Sequence, residues 1–453
     1  MSTDGITANV AVPTAWRPAS VLDAPPSRRL PWGRWAQVVA GHAALAVAVL
    51  STAGIALGHL RHHERVAGAR MPAGPLAGLP HVHRPDHVAL LWALLGSYAV
   101  AVACARAIRP ALVLTAVVAL VVLLTLTPPR PLTDLFSYVA YGRMLGLHGI
   151  DPYQHGPHAI MRDPSFPYVS PDWHHTPTVY GPLFTGLSAW VSSLGTLGAA
   201  WALKAVAGAA AIVTAVLCAL AARRNDPRPG SASLALVLVG LNPILLAYGV
   251  GGAHNDVLML VPMAGGLWLL SRQADAPGAL LLALGPAIKL SSGLALPFLL
   301  VGERRWRVLA GAVTGLAILA GGTLLAFGTA PIHATGLIGT HTADGHRHSV
   351  PAFVAERLGS GVPSGATFRA LTVVAGVATV LLLVAVGVGV VRWTTGAVAS
   401  TALVVAAAGT SFAWYGVWTL ALAAADPRRG SRVVVLALTA VLVAMQLVGL
   451  RSG

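Results

Sequence analysis

The sequence predicts an all-α polytopic membrane protein, and three observations carry that prediction. Of 453 residues, 56% are hydrophobic and only 10% charged, whereas a soluble chain runs nearer a quarter charged. The mean hydropathy is +0.72, and a water-soluble fold of this composition would expose apolar patches large enough to aggregate. The apolar residues also gather into runs at 36–58, 88–105, 111–127, 198–221, 232–250, 257–271, 308–328, 368–391, 396–410, 413–425 and 431–449, each read as a transmembrane helix. With two irregular stretches added, about 11–13 spans are expected.

The net charge of +15 suggests nucleic acid until the charges are placed. With the N-terminus inside, the cytoplasmic segments hold 17 Arg against 6 acids, and the opposite segments hold 11 Arg against 9 acids. Lys204 and Lys289 lie inside apolar stretches. This positive-inside asymmetry accounts for the basicity, so no nucleic-acid partner is expected. Cys104 and Cys218 both fall in spans, so no disulfide framework is implied.

Residues 1–35 carry Pro13, Pro18, Pro25, Pro26 and Pro31 with Arg28, Arg29 and Arg34, and read as a disordered cytoplasmic tail. The apolar run behind them is too long and too far in to be a cleaved signal. Residues 36–453 read as a single transmembrane domain without internal repeats, with outer loops at 59–87, 128–180 and 329–367. Fifteen of 17 His fall in those loops. Outer loops avoid Lys and Arg, and His is mostly neutral at pH 7; a metal site from His81, His83 and His87, or from His341, His346 and His348, is the alternative. None has zinc-motif spacing, and no metal is expected.

Two stretches resist simple counting. If 181–196 crossed, Arg223, Arg224 and Arg228 would face outward, so a helix dipping into the outer leaflet is expected. Residues 277–301 hold Lys289 at their centre, and a simple crossing would put Glu303, Arg304, Arg305 and Arg307 outside. A hairpin of two half-helices restores the charge rule, and broken helices are tolerated where protein covers them.

An enzyme working at the outer face must draw its groups from the outer segments, which offer nine carboxylates. Asp134 stands out, seven residues past the span that ends near Thr127. On a helix, Asp134, Tyr138 and Tyr141 share one face while Leu132, Leu135, Phe136 and Val139 form the other, an interfacial amphipathic pattern. N-capping by Asp134 with Thr133 is the alternative. His254, Asn255 and Asp256 are consecutive polar groups between apolar runs, costly at membrane depth unless used; capping of the next helix is again the alternative. Lys289 either snorkels or holds an anion. Arg143 and Arg130 flank the Asp134 helix, placed for a phosphate or a lipid headgroup. Trp414 and Tyr415 fall at an outer boundary, where aromatic belts also put such residues without function.

These motifs together resemble the glycosyltransferases of the GT-C architecture that use polyprenyl-phosphate sugars, and are most similar to the α-(1→6)-mannopyranosyltransferases of actinobacterial lipomannan. The likeness rests on Asp134-Leu135-Phe136-Ser137-Tyr138 with Gly142-Arg143, on Gly149-Ile150-Asp151-Pro152-Tyr153 (the family usually has Asn before the Pro), and on Tyr180-Gly181-Pro182. It continues through His254-Asn255-Asp256, Ala287-Ile288-Lys289 and Trp414-Tyr415, where Ala413 replaces the family's usual Pro.

The resemblance implies a GT-C-like bundle in the plasma membrane, with its active site on the outer side. It implies mannose transfer from a polyprenyl-phosphate-mannose donor to a mannan or lipoglycan acceptor. Asp134 is then the catalytic base, ionised at pH 7 from a reference pKa of ~3.9. A phosphate leaves without needing a proton, so one base suffices and displacement inverts the anomeric centre. Arg143 and Lys289 would face the phosphate, and Tyr138, Tyr141, Tyr153 and Tyr180 would bind sugar, beside His254, Asn255, Asp256, Trp414 and Tyr415. No cofactor is expected. Another lipid-linked sugar, such as arabinofuranose or glucose, is the alternative within the class, and a lipid-linked-sugar flippase the alternative outside it.

Overall fold

The computed structural model describes residues 31–58, 65–66, 69–70, 74–76, 86–129, 134–332 and 348–449. Sixteen α-helices organise them. In chain order they are α1 (Pro31–Gly58), α2 (His87–Cys104), α3 (Pro110–Leu126), α4 (Asp134–His148), α5 (Pro182–Val191), α6 (Gly195–Asn225), α7 (Ser231–Gly240) and α8 (Asp256–Ser271). There follow α9 (Asp275–Leu284), α10 (Leu296–Gly302), α11 (Trp306–Phe327), α12 (Val350–Arg357), α13 (Gly365–Gly387), α14 (Trp393–Ala407), α15 (Leu420–Ala425) and α16 (Arg429–Gly449). The β structure among the described residues is one two-residue ladder, Arg65–Val66 against Ala69–Arg70.

The chain is an all-α polytopic membrane protein. Among the described residues six helical stretches are long and apolar enough to cross a membrane, and six shorter apolar helical stretches of 10–17 residues accompany them. Local chemistry sets several boundaries. The Asp86 carboxylate accepts from the amides of Val88 and Ala89 and opens α2, and Pro110 occupies the first turn of α3, where its missing N–H costs nothing. Ser364 caps α13 through the Thr367 amide. The outer faces of α11 and α13 carry exposed leucines and valines, such as Leu325 and Val380, the surface that lipid covers.

The run 232–250, expected as one span, is broken. Pro243 cannot donate a backbone hydrogen bond and disfavours helix at Asn242. The Asn242 carboxamide takes over, accepting from the Ile244 and Leu245 amides and donating to Tyr98 and Thr439. The chain then re-forms as a single π-helical turn, Leu245–Val250, a geometry that clusters at functional sites. The run 413–425 likewise divides, into a 3₁₀ segment at Ala413–Thr419 and α15.

The expected hairpin at 277–301 is present. α9 ends in a short 3₁₀ turn, Lys289 is extended at φ −151° and ψ 128°, and a second 3₁₀ segment leads into α10. The chain comes back to where it started: Arg305 pairs with Asp275 at 2.8 Å. From there α11 runs beside α9, close enough that a Cβ on Gly311 would lie 2.0 Å from the Ala276 carbonyl oxygen. Small residues allow this approach where no hydrophobic force joins helices in lipid. The stretch 181–196 is the ten-residue α5, about 15 Å long and half a bilayer core. Gly195, at φ +74°, turns the chain into α6.

The Arg-rich ends come together as the charge count predicts. At one end of the bundle Asp226 takes Arg106 and, at 2.7 Å, Arg228, with Arg432 at 3.8 Å. These pairs hold its carboxyl down at about 2, against the cost of burial. The expected tail at 1–35 lies mostly outside the described residues, as do Arg130, Leu132, Thr133, His81, His83, His341 and His346.

Candidate active site

α4 is not the interfacial amphipathic helix that its sequence suggests. Every residue from Asp134 to Met144 is buried, because α5, α6 and the 3₁₀ segments of 157–173 enclose it. Asp134 therefore opens a helix inside the protein, with its side chain 11% exposed.

The chain that faces Asp134 is unusual. After the π-helical turn, Ala253 adopts φ +56°, a left-handed conformation uncommon for a residue with a Cβ. Lys204, fully buried on α6, donates to the Gly251 carbonyl at 3.1 Å and so braces the turn. The result delivers His254, itself 0% exposed, with Nδ1 3.4 Å from Asp134 Oδ2. Its imidazole closes a stack of three rings: Trp414 lies 3.8 Å away at 16°, and Phe412 lies 4.5 Å beyond it at 5°. Among the described residues neither ring nitrogen of His254 nor Nδ2 of Asn255 makes a hydrogen bond, so the imidazole faces Asp134 at ion-pair distance only. Buried polar atoms left unsatisfied are rare and concentrate where chemistry or a ligand needs them.

Asn255 is the N-cap residue of α8, yet its side chain makes no capping bond; its Oδ1 faces the Tyr138 hydroxyl at 3.5 Å. Asp256 does not cap either. Its carboxylate, 0% exposed, takes Lys289 Nζ at 2.8 Å and the Trp418 indole N–H at 2.5 Å. Asp256 and Asp134 both act electrostatically on the hydroxyls of Tyr138 and Tyr415, which makes one cluster of the two halves. The Lys289 ammonium also lies 5.2 Å from the Tyr415 ring centre and 5.9 Å from that of Tyr180, an aromatic cradle that suits a cation. The Gly181 amide donates to the Ile288 carbonyl at 3.0 Å. A Cβ at Gly181 would lie 2.3 Å from the Ala287 carbonyl, so the 180–182 turn and the Lys289 turn touch only because that residue is glycine.

Three expected substrate residues have other partners. Arg143, placed by sequence against a phosphate, instead makes a two-pronged pair with Asp163 at 2.7 and 2.9 Å and donates to the Ser192 carbonyl. Burial raises the Asp163 carboxyl, but Arg143, His148 and Ser165 outweigh it and hold the group far below the carboxylate range. The Tyr153 hydroxyl donates to the Tyr180 carbonyl at 2.8 Å and burial pushes it up to about 12. The Tyr141 hydroxyl donates to the Thr176 carbonyl at 2.7 Å. These three tie the 149–181 loop to α4 and α5 and so shape the floor. Sequence reading missed Trp418, Lys204 and Asp163. The lone lysine in an apolar run was the available signal for Lys204; nothing in the spacing marks the other two.

The family model described as Alpha-(1->6)-mannopyranosyltransferase, N-terminal domain, matches residues 38–303. The chain belongs to this family. The matched stretch holds Asp134, His254, Asp256 and Lys289, and the fold brings Trp414, Tyr415 and Trp418 to them from beyond it. Three relatives resemble the chain. An "Alpha-(1->6)-mannopyranosyltransferase A" of Corynebacterium glutamicum is 32% identical over 185 residues, 40% of this chain and 36% of the relative. Its namesake in Mycobacterium tuberculosis is 33% identical over 186 residues, 39% and 34% of the two chains. A "Probable alpha-(1->6)-mannopyranosyltransferase" of Mycolicibacterium smegmatis is 31% identical over 248 residues, 51% and 40%. The chain thus spans about a third to two-fifths of the length of these three relatives. No solved structure matches it.

Proposed function

We propose that the chain is an inverting mannosyltransferase of the GT-C type that moves mannose from a polyprenyl-phosphate donor onto a growing α-(1→6)-mannan or lipoglycan, at the outer face of the plasma membrane. The family and the names of its relatives support mannose and the linkage. The observation that carries the chemistry is the pairing of Asp134 with a fully buried His254 at 3.4 Å. Asp134 takes the proton of the acceptor hydroxyl, whose oxygen attacks the anomeric carbon as the phosphate departs with its bonding pair. A positioned base of this kind contributes typically about 10²–10⁴-fold. The stack of Phe412, Trp414 and His254 fixes the imidazole, which orients the carboxylate.

Lys289 serves the departing phosphate. One of its N–H bonds goes to Asp256, leaving two for phosphate oxygens. Tyr180 and Tyr415 line the same position and offer ring faces to sugar. Arg143 has no part in the phosphate site, since its guanidinium is spent on Asp163. On this reading Lys289 is the cation that meets the phosphate, and the proposal calls for no metal.

The test is transfer in membranes containing the chain, with radiolabelled polyprenyl-phosphate-mannose and a short α-(1→6)-mannoside. A longer mannoside whose new end is removed by an α-(1→6)-specific mannosidase is expected. Product from a lipid-linked arabinofuranose or glucose, with none from mannose, would overturn the donor assignment. Movement of the intact donor across vesicles without transfer would favour a flippase.

A further inference from the structure

At the Arg-rich end, away from Asp134, a groove of about 750 Å³ opens between the start of α3, the end of α6 and the start of α7. One wall is apolar, formed by Leu114 of α3 with Val216 and Leu220 of α6; the rim is basic, with Arg106, Arg109, Arg223 and Arg228 against Asp226 alone. The charges divide into two kinds. Arg106 and Arg228 are fastened to Asp226 and to the Pro229 and Pro427 carbonyls, and serve the fold. Arg109 and Arg223 are exposed and have no partner among the described residues. The amino-terminal turns of α3 and α7 open on the same rim.

We propose that this groove binds an anionic phospholipid of the leaflet at that end, with its phosphate between Arg109 and Arg223 and one acyl chain along Leu114, Val216 and Leu220. The occupant follows from charge and shape together. Two unpaired guanidinium groups, beside two more that share the single Asp226 carboxylate, leave the rim positive, which suits a phosphate. A free phosphate would leave the apolar wall uncovered, and a zwitterionic lipid would leave the arginines unmatched. Because α3 runs from this groove to the segment that precedes Asp134, and α6 carries Lys204 beneath the π-helical turn, a lipid lodged here packs against two helices that support the site.

Native mass spectrometry of the purified full chain tests this with phosphatidylglycerol, phosphatidylcholine of the same acyl chains, and inorganic phosphate. Basic side chains at a headgroup contribute about fivefold each, so phosphatidylglycerol should bind at least tenfold tighter than phosphatidylcholine. The Arg109→Gln/Arg223→Gln variant, altered only at exposed positions, should lose that preference. Leu220→Trp, which fills the wall and keeps every charge, should weaken phosphatidylglycerol binding as well. Equal binding of the two lipids, or a preference that survives the double variant, would overturn the proposal. So would displacement of the lipid by millimolar inorganic phosphate, which would make free phosphate the ligand.

Discussion

Asp134 opens α4 and His254 precedes α8, yet Oδ2 of one lies 3.4 Å from Nδ1 of the other. Neither group is placed by its own helix alone. The carboxylate is enclosed by α5 and α6, and the imidazole is turned toward it by a strained Ala253, a π-helical turn and a stacked Trp414. The predictions follow from this convergence.

On the proposed mechanism, His254 acts on turnover through Asp134. His254→Ala should lower kcat about 10²-fold, the scale expected when a reacting group is misplaced by an ångström, with KM for the donor little changed. His254→Gln, which keeps a donor on that side, should recover part of the loss. A rise in KM alone, with kcat intact, would place the ring in binding instead.

Lys289 and Asp256 are best tested as a pair, because removing the lysine alone leaves a buried carboxylate uncompensated, at about 3–5 kcal/mol. Lys289→Met with Asp256→Asn should therefore be better folded in a thermal melt than Lys289→Met alone, and both should lack transfer. Activity in the double variant would remove Lys289 from the proposed phosphate site.

Gly181→Ala should separate the 180–182 turn from the Lys289 turn, since its Cβ would meet backbone 2.3 Å away. Overpacking of this kind costs about 1–3 kcal/mol. A lowered thermal midpoint together with reduced transfer is expected, and an unchanged midpoint would contradict the contact.

The acid response of Asp163 has a defined sign. Its folded carboxyl is held far below the ordinary range by Arg143 and His148, so its contribution is complete above its unfolded value of ~3.9 and is lost as pH falls through the lower folded one. Asp163→Asn should be less stable than the parent at pH 5–8. The gap should narrow below pH 4 in melts followed by circular dichroism. A gap that widens with acid would reverse the assignment.

Much of this was legible in the sequence. Apolar runs at 88–105 and 111–127 became α2 at His87–Cys104 and α3 at Pro110–Leu126, since hydropathy is a local property and lipid reads it directly. The hairpin around Lys289 followed from charge parity. Asp134, His254, Asp256, Lys289 and Trp414 were picked separately and are neighbours in the fold. What escaped depends on contacts that no periodicity encodes. The face of α4 that looks polar is buried, because the 149–181 loop folds over it and turns Tyr141 and Arg143 into anchors. Nothing in the sequence marks Trp418, whose indole meets Asp256 only through the 3₁₀ segment that carries it.

The most direct test compares mannosyl transfer by the parent chain and by Asp134→Asn, at equal expression and with matching melting curves. The amide keeps the size of the carboxylate and its hydrogen-bonding oxygen but cannot take the acceptor proton. Loss of at least about 10²-fold in kcat, with the donor still bound, is the predicted result. Transfer by Asp134→Asn at the parent's rate would contradict the account at its centre.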